Sequence, residues 1–169
     1  RLSLTGAQKN VWFHQLLEPE STPYNVLQYI RITGPFDFER AQQAQEFLTQ
    51  DTEAFRLRFF EVDGNVFQTV EPEVKAPLSF FDVSHEVDVE KTALELLEHE
   101  QHKVFNLRQA GCFRFGVVKL SPIDWIWYWN GHHIATDGVG AANIVNNFAN
   151  AYRQYPNFLH NESPTWRDV

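Results

Sequence analysis

The stretch CFRFGVVKLSPIDWIWYWNGHHIATDG, residues 112–138, decides how the chain is read. Cys112 to Leu120 and Trp125 to His132 are rich in aromatic and β-branched residues, and Ser121-Pro122 breaks them apart. Two adjacent strands joined by a turn are therefore expected. Side chains alternate along a strand. That alternation groups His133 with Trp125, Trp127 and Trp129, and His132 with Tyr128 and Asn130. At most one of the two histidines is expected to address a given crevice, the other being packed and hydrogen-bonded. The Trp stripe reads as core or interface packing rather than a ligand box.

Outward from this pair, the pattern keeps alternating between helix and strand. Thr5-Gly6-Ala7-Gln8 has the form of a capping box and predicts a helix to about Leu17. Asn25 to Thr33 predicts a strand. Asp37 is placed to cap a helix that carries Phe38, Ala41, Gln45 and Leu48 on one side. Phe55 to Val62 and Asn65 to Val70 predict a hairpin around Asp63-Gly64. Leu78 to Val83 predicts a short strand. Glu90 to Phe105 predicts a helix with Leu94, Leu97, Gln101 and Val104 as its apolar stripe. A last helix from about Gly140 to Tyr155 should bury Ile144, Val145, Phe148 and Tyr152. The order α-β-α-β-β-β-α-β-β-α implies a layered α/β (α+β) sandwich, a mixed sheet flanked by helices. No Gly-rich loop follows a strand, so a nucleotide-binding fold has no support.

Composition narrows the partners. The net charge of −8 argues against nucleic acid, which demands clustered Lys and Arg. No apolar run approaches the roughly 18 residues of a membrane helix, and no signal peptide is visible. One cysteine, Cys112, forbids an intrachain disulfide and fits a reducing cytoplasm. Fifteen Phe, five Trp and five Tyr exceed what a small core needs, so some are expected to face a partner lobe.

The segment His132-His133-Ile134-Ala135-Thr136-Asp137-Gly138 carries the chemistry. A strand end fixes an imidazole at a crevice, and a following helix N-terminus offers unpaired amides to developing negative charge. Histidine exchanges protons near neutrality, and acyl transfer needs both a proton acceptor and oxyanion donors. Plainer readings stand beside this one. The pair can be structural, and Asp137 can simply cap the helix. A metal site of His132, His133 and Asp137 is disfavoured by the opposed side-chain directions.

That segment matches the HHxxxDG signature of condensation domains of nonribosomal peptide synthetases. Leu4-Thr5-Gly6-Ala7-Gln8-Lys9-Asn10-Val11-Trp12 resembles the family's first motif. Glu53-Ala54-Phe55-Arg56-Leu57-Arg58-Phe59 resembles its second, usually Glu-x-Leu-Arg-Thr-x-Phe. Phe55 and Leu57 depart from that motif, and Asp51-Thr52 stands where Arg-His is usual. Pro23-Tyr24-Asn25, residues 32–37 and Asp137-Gly138-Val139-Gly140 look most similar to first condensation domains of siderophore-type synthetases such as enterobactin synthase.

The resemblance implies a chloramphenicol-acetyltransferase-like lobe. Residues 1–169 would be the N-terminal lobe, with the C-terminal lobe absent. It implies amide formation between donor and acceptor groups carried on 4′-phosphopantetheine arms of carrier proteins, with an adenylation domain in cis and no cofactor or metal held by the lobe itself. It gives His133 the central role, with His132 and Gly138 beside it. Asp137 becomes a structural residue paired with Arg56, or with Arg58 on the same strand face. A coenzyme A-dependent acyltransferase and a non-catalytic carrier-docking lobe remain as alternatives. The isolated lobe is expected to be inactive.

Overall fold

The computed structural model describes residues 1–136 and 138–158. A short strand β1 (Leu2–Ser3) leads into helix α1 (Gly6–Leu17). The capping box forms: Thr5 Oγ1 accepts from Gln8 N, and Gln8 Oε1 accepts from Thr5 N. Strand β2 (Asn25–Thr33) precedes helix α2 (Phe38–Asp51), whose N-cap Asp37 accepts from Arg40 N. Strands β3 (Leu57–Val62) and β4 (Asn65–Val70) flank Asp63 and Gly64, with φ of +50° and +74°. Two positive φ values in a two-residue loop match the twist of the flanking strands, and Asp-Gly tolerates them. Strand β5 (Leu78–Asp82), helix α3 (Val89–Gln101), strands β6 (Phe113–Ser121) and β7 (Asp124–His132), and helix α4 (Gly138–Gln154) complete the order.

The larger sheet runs β2-β7-β6-β5. It is mixed, as expected: β5 lies parallel to β6 across the α3 connection, and the other pairs are antiparallel. The hairpin does not join it. β3 and β4 form a separate sheet with β1, in the order β1-β4-β3.

The larger sheet is covered on both faces. Trp125, Trp127 and Trp129 of β7, with Phe113, Phe115 and Val117 of β6, enter the main core beside Phe55, Leu48 and Phe148. Trp127 stacks on Phe148 of α4 with centroids 4.1 Å apart. The alternate residues Ile126, Tyr128, Val118 and Leu120 meet Ala93 and Leu97 of α3. Most of the large aromatics thus fill the chain's own core. Phe13, Tyr29, Phe80 and Tyr155 are the large aromatics left exposed among the described residues.

Strand β1 was not expected, and several boundaries differ from expectation by one to four residues. The strand expected from Phe55 starts at Leu57, and Glu53–Arg56 forms a 3-10 turn. Phe55 is nonetheless buried, edge-on to Phe113 at 4.7 Å and Phe115 at 5.2 Å, so its apolarity mimics a strand position. Helix α3 ends at Gln101 rather than Phe105, and its buried side is Ala93, Leu97 and Glu100. Leu94 is 51% exposed, so the stripe is rotated from the expected one.

The end of α3 is fastened to the sheet. Helix C-termini leave carbonyls unpaired. Here Asn130 Nδ2 donates to Glu100 O at 2.7 Å, and Asn25 Nδ2 to Gln101 O at 2.7 Å and Lys103 O at 3.0 Å. Arg114 donates to Lys103 O and Val104 O at 2.8 and 2.6 Å. Three strands therefore hold the helix end close to where β7 stops at His132. Among the described residues no helix is long and apolar enough to cross a membrane.

Candidate functional site

β7 delivers His132 into the interior. Its ring is 1% exposed and lies against Tyr24 and Phe105, with centroids 6.0 and 6.2 Å away. Its Nε2 is 3.2 Å from Gln15 Oε1, and Ile134 N donates to its Nδ1 at 3.2 Å. Burial first, and the neighbouring His133 second, lower its pKa to about 4, so the ring is neutral near pH 7.

The alternation that grouped His133 with the Trp residues stops at His132, because the strand ends there. His133 opens a turn and is exposed, while Trp127 and Trp129 are fully buried. Its backbone is held firmly. His133 N donates to Tyr24 O at 2.8 Å, and Ala135 N donates to His132 O at 3.0 Å. Gln8 Nε2 donates to Ile134 O at 3.1 Å and to Gln68 Oε1 at 3.0 Å. His132 N donates to Cys112 O at 2.9 Å. An exposed imidazole on a rigid turn is what proton exchange with a substrate demands.

Of the other expected residues, Asp137 lies outside the described residues, and its pairing with it. Gly138 is the first residue of α4, so the helix N-terminus does follow the His turn. Arg56 is not on the strand face with Arg58 but at the end of the preceding 3-10 turn. Its Nη1 donates to Glu71 O at 2.6 Å and Pro72 O at 3.4 Å. Arg58 Nε pairs with the Glu71 carboxylate at 2.6 Å.

Sequence reasoning missed Gln15 and Tyr24, and gave Gln8 only its cap. Gln8, Trp12 and Gln15 are the buried residues of α1 and recur at i, i+4 and i+7. Glutamines at core-facing helical spacing were the available signal.

The family model for the condensation domain matches residues 1–164. The chain belongs to the condensation-domain family. Among its relatives, a dimodular nonribosomal peptide synthase of Bacillus subtilis (strain 168) is 35% identical over 150 residues, covering 89% of this chain and 6% of that protein. An isonitrile lipopeptide synthase of Streptomyces coeruleorubidus is 28% identical over 90% of this chain and 10% of its own length. The starter condensation domain of rhizomide synthetase superposes with a TM-score of 0.85 at 27% identity, over 90% of this chain and 39% of that one. A variant of it has been crystallised with C8-CoA. The first condensation domain of the calcium-dependent antibiotic synthetase, with a substrate analogue bound, gives 0.86 at 26% identity, over 91% and 37%. These structures support the chloramphenicol-acetyltransferase-like fold. This condensation-domain chain spans well under half of each.

Proposed function

We propose that the chain supplies the His-bearing half of an amide-forming active site in nonribosomal peptide synthesis. The observation that carries the reading is the pairing of a buried, neutral His132 with an exposed His133 on a fastened turn. In the reaction, the acceptor amine attacks the thioester carbonyl of the donor. A C–N bond forms, the C–S bond breaks, and the donor thiol leaves as the amine gives up a proton. His133 takes that proton or orients the amine, and the N-terminal amides of α4, which follows the His133 turn, serve as donors to the developing oxyanion. Asp137 serves as scaffold, with Arg56 or Arg58 as its partner.

The same reading makes residues 1–169 the N-terminal lobe of a two-lobed domain. A C-terminal lobe closes the tunnel, donor and acceptor carrier proteins bring their phosphopantetheine arms to it, and an adenylation domain lies in cis. A reducing cytoplasm is part of the same reading and fits a chain with the single cysteine Cys112.

One observation favours a second reading, in which the donor is an acyl-coenzyme A: the C8-CoA complex of the rhizomide synthetase starter domain. Offering the complete domain an acyl-coenzyme A and the same acyl group on a carrier protein separates the two donors. The central test is a complete domain with loaded carriers, read by mass spectrometry of the amide. His133→Ala is expected to fold and to lose product. Undiminished product from His133→Ala rejects the role of His133.

A further inference from the structure

The contacts of Gln15 fix a proton as well as a side chain. Its Nε2 faces the carbonyl oxygens of Pro19 at 2.9 Å, Ser21 at 3.2 Å and Glu18 at 3.4 Å. Carbonyls only accept, so the amide nitrogen belongs on that side and Oε1 on the other. Oε1 lies 3.2 Å from His132 Nε2 and also only accepts, so Nε2 carries the hydrogen. Nδ1 is then left with a lone pair, and the Ile134 N–H meets it at 3.2 Å. The other tautomer would set oxygen against a lone pair at one nitrogen and hydrogen against hydrogen at the other. Ile134 directly follows His133, so this chain of donors ends on the backbone that presents the exposed imidazole.

We propose that Gln15 is a positioning residue that selects the Nε2-protonated tautomer of His132 and thereby holds the His133 turn. Partners at one remove from a reacting group act this way by fixing ring orientation and proton position. Gln15 also borders a surface hollow of about 370 Å³ with Trp12, Leu16 and Phe105, which gives substitutions there room to adjust. The kinetic part of the proposal rests on the amide-forming reading; the tautomer does not.

Imidazole nitrogen NMR on the chain tests it. At pH 7, His132 is expected to show a protonated Nε2 and a bare Nδ1. Gln15→Met keeps the size but removes the acceptor, so a mixture of tautomers and displaced His133 and Ile134 amide signals are expected. Gln15→Glu in its protonated form keeps a donor toward the carbonyls and an acceptor toward Nε2, so the Nε2-protonated form should persist. In the complete domain, Gln15→Met is expected to lower kcat by about 10- to 100-fold with KM unchanged. A wild-type ring protonated at Nδ1 overturns the proposal. So does a His132 signature that Gln15→Met does not alter, or an unchanged kcat. A wild-type domain that forms no amide overturns the amide-forming reading instead, and the NMR still decides the role of Gln15.

Discussion

Protonating His132 would bury a cation in a ring that is 1% exposed and turn Nδ1 into a donor aimed at the Ile134 amide. The folded pKa of about 4 expresses that cost, against an ordinary value near 6.5 in the unfolded chain. Between the two values the unfolded chain binds the proton and the folded chain does not. Unfolding free energy therefore falls as pH drops through this window, and this group alone removes ~3 kcal/mol by pH 4. Above pH 7 it has no effect. Urea denaturation from pH 7 to 4 should show that slope in the wild-type chain and a shallower one in His132→Asn; parallel slopes would rule the assignment out. His133 was legible as the exposed member of the pair only through its motif, since alternation assumed a strand that ends one residue earlier. For Gln15 the helical spacing with Gln8 and Trp12 marked a core-facing side chain, but not its partner, which lies 117 positions along the chain.

At the scale of elements, β6 and β7 were read nearly to their ends because both parities are filled with large apolar groups. Helix α3 was misplaced on its axis. Its tightest residue is Ala93, too small to announce a buried side, and its buried Glu100 reads as surface until Lys103 is seen paired with it. Glycine 116 shows what pattern alone hides. It stands opposite Tyr128 in the register, and a Cβ added there would fall on the Tyr128 ring. Gly116→Ala is expected to cost about 1–3 kcal/mol by overpacking. Adding Tyr128→Leu should make the double variant more stable than the sum of the two single losses predicts. Denaturation midpoints of the four proteins check this, and strict additivity would contradict the steric account.

For the whole molecule, β7 is the member on which both cores and the His133 turn converge. The chain aligns with 35–40% of the condensation-domain structures it resembles, and Phe13, Leu16 and Leu17 of α1 remain exposed. On the proposed reading, the 169-residue chain forms no amide from two loaded carriers, since it provides only one wall of the tunnel. Product formation by the chain alone would refute the two-lobe assignment. The mooring of the His133 turn has a practical corollary for engineered assembly lines. Gln8, Gln15, the Tyr24 carbonyl and the Cys112 carbonyl all hold it, and they come from distant parts of the chain. A graft of residues 132–138 into a foreign scaffold would transfer the signature without its anchors. A transplanted unit has to carry all of these anchors together with helix α4, whose Phe148 stacks on Trp127, and chimera breakpoints belong outside that span.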